Sequence, residues 1–140
     1  MARLVLTDAS VVINGINLSE FITSVTLSKS EDVVDTTGMS SAAARTRVAG
    51  LADNSVTFEF NQDFATSAPE VTINAVGASL VGTTTTCVVK PTSAAVGASN
   101  PSFTFSAVVA EWQPLSGAVG ELATVSTTWP ISGNITKAVS

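Results

Sequence analysis

Between Asn54 and Asn61 the chain reads NSVTFEFN, and its apolar residues alternate without a break. Val56, Phe58 and Phe60 fall on one parity, Thr57, Glu59 and Asn61 on the other. A period of two sends side chains to opposite faces of an extended backbone, so this is a half-buried β-strand. Upstream, Glu31–Thr37 (EDVVDTT) is a short acidic run with β-branched residues. Between the two lies Gly38–Gly50, small and polar, carrying Arg45 and Arg47 and bracketed by glycines. That connection is too long and too polar for a tight hairpin. It reads as a strand, a projecting arm over about Thr36–Gly50, and a return strand. A long arm on a small β domain most often contacts a partner.

The rest of the chain supplies a β scaffold for this arm. Ser10–Asn14 is a strand, and Asn14-Gly15 is a strong hairpin turn. Ile16–Leu18 continues it. Ile22–Ser30 places Val25 and Leu27 opposite Ser24, Thr26 and Ser28. Thr84–Lys90 is a strand that stops at Pro91, and Pro91–Pro101 is a loop of Pro, Gly, Asn and small residues. Ser102–Trp112 reads as one long strand, with Phe103, Phe105, Ala107 and Val109 on one side and Thr104, Ser106, Val108 and Trp112 on the other. Glu121–Pro130 returns with Val125, Thr127 and Trp129 on one parity, and Asn134–Val139 is a short extended tail. One helix is expected over about residues 67–80. Ser67 suits an N-cap, Pro69 and Glu70 suit the first turn, and Gly82 suits a stop. Val71, Thr72, Ile73, Val76 and Gly77 weaken it. Strands do not alternate with helices, so a doubly wound parallel sheet is excluded. The expected fold is mainly β: an antiparallel β-sandwich or partly open barrel with one flanking α-helix, in a single domain over residues 1–140.

Composition narrows the function. Charged residues make up 12%, about half the usual share, and Thr and Ser supply the missing polarity. Such a surface suits a subunit covered by copies of itself. The net charge of −5 lacks the basic stripe of a nucleic-acid reader and the polybasic cluster of a membrane binder. Leu4-Val5-Leu6 is too short for a signal peptide, and no run approaches the ~20 residues of a membrane span. A soluble chain made in the cytoplasm is therefore expected.

Catalysis needs a poised proton carrier or a metal. The chain has no His and no Tyr, and Cys87, the one cysteine, sits inside a strand pattern with no base to activate it. No enzyme, cofactor or metal role is expected. Glu31, Asp32 and Asp35 lack calcium-loop spacing; they read as charges on a strand edge, with Glu31 and Asp35 sharing a face. Arg45 and Arg47 are the densest positive site. They suit either a phosphate or, better in an acidic chain, the Glu31 or Asp35 carboxylates of a neighbouring copy. Trp112 and Trp129 read as packing residues.

The order of these elements, with the phrases VAGLADNSVTFEFNQDF and ATVSTTWPISGNIT and the DTTG at the start of the arm, resembles the small major tail (tail tube) proteins of siphoviruses, particularly those of actinobacterial phages. The resemblance covers nearly the whole chain. It implies a β-barrel or sandwich with a flanking helix, assembling into hexameric rings that stack into a tube. The lumen would hold a tape-measure protein and then pass DNA, and a tail terminator and distal tail proteins would meet the tube's ends. The location implied is the virion tail. It also implies that the arm reaches a neighbouring subunit, making Thr36, Thr37, Gly38, Met39, Arg45 and Arg47, with Glu31 and Asp35 at its base, candidate contact residues. Net negative charge would let DNA slide rather than bind. A strand of about nine residues spans roughly 30 Å, a sensible ring height. Two other readings stand beside it: a capsid decoration protein, also small, Thr-rich and acidic, and an immunoglobulin-like binding module, which would leave the arm unexplained.

Overall fold

The computed structural model describes Val5 and residues 7–39, 44–66 and 68–140. Nine strands are found among the described residues: β1 (Ser10–Ile13), β2 (Ile16–Asn17), β3 (Ile22–Ser28), β4 (Glu31–Asp35), β5 (Arg47–Ala52), β6 (Ser55–Asn61), β7 (Thr84–Lys90), β8 (Ser102–Val108) and β9 (Thr124–Ala138). Seven form one antiparallel sheet in the order β2-β1-β7-β8-β9-β6-β3, curled into a half-barrel. The remaining two, β4 and β5, pair only with each other.

The alternation of β6 is what sets the core. Val56, Phe58 and Phe60 are fully buried, and Phe58 meets Trp129 of β9 edge to face with ring centroids 5.4 Å apart. Val11 and Ile13 of β1, Cys87 of β7, Phe105 and Ala107 of β8, and Val125 of β9 complete the same inner face. The opposite parity carries hydroxyls. Thr26, Thr57 and Thr128 stand in one row across β3, β6 and β9, with the Thr57 and Thr128 hydroxyl oxygens 3.0 Å apart. The Asn14-Gly15 turn forms as its residue types demand: both have positive φ, 52° and 80°.

Four local expectations change. The helix α1 spans Pro69–Ile73, not residues 67–80. Pro69 and Glu70 do open it, with Ala68 in the cap position; Ser67 lies outside the described residues. β-branched residues crowd the turn, and the chain bends at Gly77 with φ 75°. Second, β8 ends at Val108, and the chain leaves the sheet instead of continuing to Trp112. Strand parity therefore fails at Trp112, which packs on the core side against Phe60, centroids 5.5 Å apart. The departing segment has its own work. The Glu111 carbonyl accepts from the Trp129 indole N–H at 3.0 Å and the Thr127 hydroxyl at 3.1 Å, covering the stretch of β9 that β8 does not reach.

Third, the closing strand and the tail are one element. The first half of β9 pairs with β6 and its second half with β8, so it stitches the two halves of the sheet together. The register shifts opposite Thr104 and Ser106, and Gly133 lies in that irregular stretch with φ 91°. Fourth, the end of the arm is not irregular polar chain: strand β5, Arg47–Ala52, begins inside it and runs past Gly50.

Candidate assembly surface on a projecting ribbon

β4 and β5 form a two-stranded ribbon whose every residue is exposed. Opposite partners are Val33 with Ala49, Val34 with Val48, and Asp35 with Arg47. Between Glu31 and Val33 the register slips by one residue, at Gly50. A Cβ at Gly50 would lie 3.3 Å from Val34 Cγ2 and 3.4 Å from the Asp32 Cβ, so glycine lets the strands close over this irregularity. Asp32, Val34 and Val48 thus share one face, which is apolar and acidic. Val33, Ala49, Asp35 and Arg47 share the other.

The ribbon's far end is organised by Asp35. Its carboxylate accepts from the Thr37 backbone N–H at 2.8 Å and from the Arg45 guanidinium at 3.1 Å. Hydrogen bonding from Thr37, side chain and backbone, with Arg45 adding to it, holds the Asp35 carboxyl below the usual carboxylate range. The Thr46 N–H donates to the Thr37 hydroxyl at 2.9 Å, and the hydroxyls of Thr36 and Thr46 lie 2.9 Å apart. Among the expected contact residues, the fold therefore brings Asp35, Thr36, Thr37 and Arg45 together within one chain. Arg45 and Asp35 are 69% and 48% exposed, so water screens their bridge and it leaves both free to change partners. Glu31 stands apart at the base, opposite Ala52, and Met39 is fully exposed. Residues 40–43 of the arm lie outside the described residues.

The base of the ribbon is held by a residue that sequence reading passed over. Asn54 is 2% exposed. Its side-chain oxygen accepts from the Ser30 N–H at 3.3 Å, and its amide donates to the Gly133 carbonyl at 3.1 Å. Its own carbonyl accepts from Ile131 N–H at 2.9 Å. One side chain thus ties the ribbon's entry to the irregular stretch of β9. The signal was an Asn where an exposed arm meets a buried strand.

Two further features leave surface that a partner could cover. The ribbon exposes Val33, Val34, Val48 and Leu51, and Leu51 is 80% exposed. Free-standing apolar ribbons of this kind are costly in water unless covered. In addition, β3 is an edge of the seven-stranded sheet, and its sequence ITSVTLS carries no charge and no proline. An uncharged edge strand is a template for pairing with another chain.

Among the described residues no group of His, Cys, Asp and Glu is placed to hold a metal ion, and no helix is long and apolar enough to cross a membrane. Cys87 is fully buried, and burial pushes its thiol up to about 12.

No family model matches the chain, and no curated protein matches it by sequence. Its fold is shared with a chain in the cryo-EM structure of the anti-feeding prophage (AFP) baseplate, an assembly symmetrised six-fold. The two superpose with a TM-score of 0.57 at 12% identity, over 98% of this chain and 97% of that one.

Proposed function

We propose that this protein is a structural subunit of a phage-type tail, and that it builds the tail tube. The exposed β4–β5 ribbon on a half-barrel with an unprotected edge carries this reading: both surfaces ask for other copies of the chain. The end-to-end likeness to a baseplate chain supports it, since that chain works in a six-fold assembly. In this reading the β3 edge pairs with a neighbouring copy, and repeated pairing closes a ring, six-fold as in the baseplate. Rings stack, and the ribbon reaches out of its own subunit to a neighbour. The Arg45, Arg47, Glu31 and Asp35 groups trade their contacts with water for contacts between copies. The low-charge hydroxyl face, with its row of Thr26, Thr57 and Thr128, lines a lumen that holds a tape-measure protein and passes DNA without gripping it. A tail terminator and distal tail proteins meet the ends. The protein is made in the host bacterium and resides in the virion.

Negative-stain electron microscopy of the purified protein across a concentration series tests this. The expected result is rings or tubes with a central hole, lost when Thr36–Gly50 is deleted while far-ultraviolet circular dichroism still reports a β domain. Normal tubes from the deletion, or discrete trimers that decorate capsids, would overturn it.

A further inference from the structure

We propose that the apolar cavity at the open seam of the half-barrel is the seat for the ribbon of a second copy. This rests on the assembly reading above and names the receiving surface. The cavity measures about 300 Å³ and forms where Val25 and Leu27 of the β3 edge approach Val89 of β7 and Phe103 of β8. Two lysines, Lys29 and Lys90, also line it. They are two of only six Lys and Arg in an acidic chain, so this is a concentrated positive spot against an apolar wall.

The ribbon face of Val34, Val48 and Asp32 has the complementary chemistry. Val34 and Val48 are 49% and 53% exposed and stand directly opposite each other, with the Asp32 carboxylate beside them and no cation on that face. The other face sets Arg47 directly opposite Asp35, so its carboxylate already has a cation beside it, whereas Asp32 has none among the described residues. A cavity of this size lies at the bottom of the ~300–1,000 Å³ range of small-molecule pockets and suits a few aliphatic side chains. The occupant belongs to a different copy. The ribbon starts at Glu31, two residues beyond Lys29, and its extended backbone carries Val34 roughly 16 Å away from that lysine at ~3.3 Å per residue. Knob and seat are different surfaces, so the contact is heterologous and propagates from copy to copy.

Disulfide trapping reads this directly. Val34→Cys and Leu27→Cys are made as separate proteins, mixed, and oxidised with dissolved oxygen and a copper catalyst. Buried Cys87 does not compete. The expected product is a mixed Val34→Cys/Leu27→Cys dimer, at least about tenfold more abundant than either variant's dimer with itself. Adding Lys29→Glu, an exposed change, to the Leu27→Cys chain should cut that yield by about tenfold or more, at unchanged circular dichroism. A Val34→Cys dimer with itself as the main product would put ribbon on ribbon and overturn the proposal. So would rings or tubes that form normally from Lys29→Glu protein, an outcome that leaves the assembly reading standing. Wild-type protein that shows no rings at any concentration, together with no mixed dimer from the two cysteine variants, overturns both.

Discussion

Asn54→Ala should loosen the ribbon before it unfolds the barrel, and its size follows from two hydrogen bonds. The wild-type side chain accepts from the Ser30 N–H and donates to the Gly133 carbonyl, at 3.3 and 3.1 Å. Truncation leaves both backbone groups without that partner, and each such loss costs ~1 kcal/mol when water replaces it and more when water is excluded. Ser30 and Gly133 are exposed, so water reaches them, whereas Asn54 itself is buried. The expected loss is about 2 kcal/mol, which lowers the melting temperature of a domain this size by roughly 6–8 °C. Urea denaturation gives the first number. Hydrogen exchange gives the second signature: amides of β4 and β5 should exchange faster by a larger factor than those of β8. Asn54→Asp refines the test. Its carboxylate still accepts from Ser30 but sets a negative charge against the Gly133 carbonyl. It should therefore be at least as damaging at pH 7, and should recover as pH falls and the carboxyl gains a proton to donate. A loss below about 0.5 kcal/mol for Asn54→Ala, or exchange that speeds up equally in β4, β5 and β8, would refute the view of Asn54 as the clamp.

Phe58→Ala removes a fully buried ring that touches both Phe60 and Trp129, and should cost about 3–5 kcal/mol by urea denaturation. The Asp35 carboxyl is depressed by its Thr37 and Arg45 contacts, so it helps order the ribbon tip above the usual carboxylate pKa and loses that effect as pH falls through its own lower value. NMR shifts of Thr37 and Thr46 should follow that transition, and Asp35→Asn should abolish it. The Cys87 thiol, buried and raised to about 12, should resist a thiol reagent at pH 8 in the folded protein and react at once in denaturant.

What could be read without coordinates was the alternation, and only where one face of a strand is buried. β6 and the first half of β9 place every inward residue as their periodicity requires, because burial of Phe58 or Trp129 on the wrong face would forfeit the core. β5 escaped because nothing in RVAGLA is buried: a ribbon exposed on both faces has no reason to alternate. The unity of β9 was hidden by Pro130 and Gly133. Both residues interrupt ordinary strands, but here they fall where pairing passes from β6 to β8. The helix was overextended because a good start, Pro69 and Glu70, says nothing about length when β-branched residues follow. The candidate arm was legible from its length and polarity. The exposed apolar content of the ribbon that carries it was not, since Val33, Val34, Val48 and Leu51 look like core residues until the fold leaves them outside.

That exposed apolar content also sets a limit on how the protein can assemble. Val33, Val34, Val48 and Leu51 are between 49% and 80% exposed, so covering them hides the equivalent of about two to three aliphatic side chains. At ~1.5–3 kcal/mol for a fully buried side chain, the ribbon supplies on the order of 5 kcal/mol. Joining two proteins costs ~4–15 kcal/mol in lost freedom before any contact is counted. A ribbon contact alone therefore gives at most a fleeting pair, which is why a covalent trap rather than a stable dimer is the right readout for its seat. The seven residues of the β3 edge add backbone hydrogen bonds, but again too few for a durable pair. Only when each copy uses its ribbon, its seat and its edge at once do the gains exceed the cost, because the later contacts form within an assembly already held together. On the proposed assembly reading, such a subunit should stay dispersed at low concentration and assemble above a threshold or on a preformed template. Changes in either the ribbon or the edge should raise that threshold steeply, and a gradual, pairwise association curve would be incompatible with this division of the binding energy.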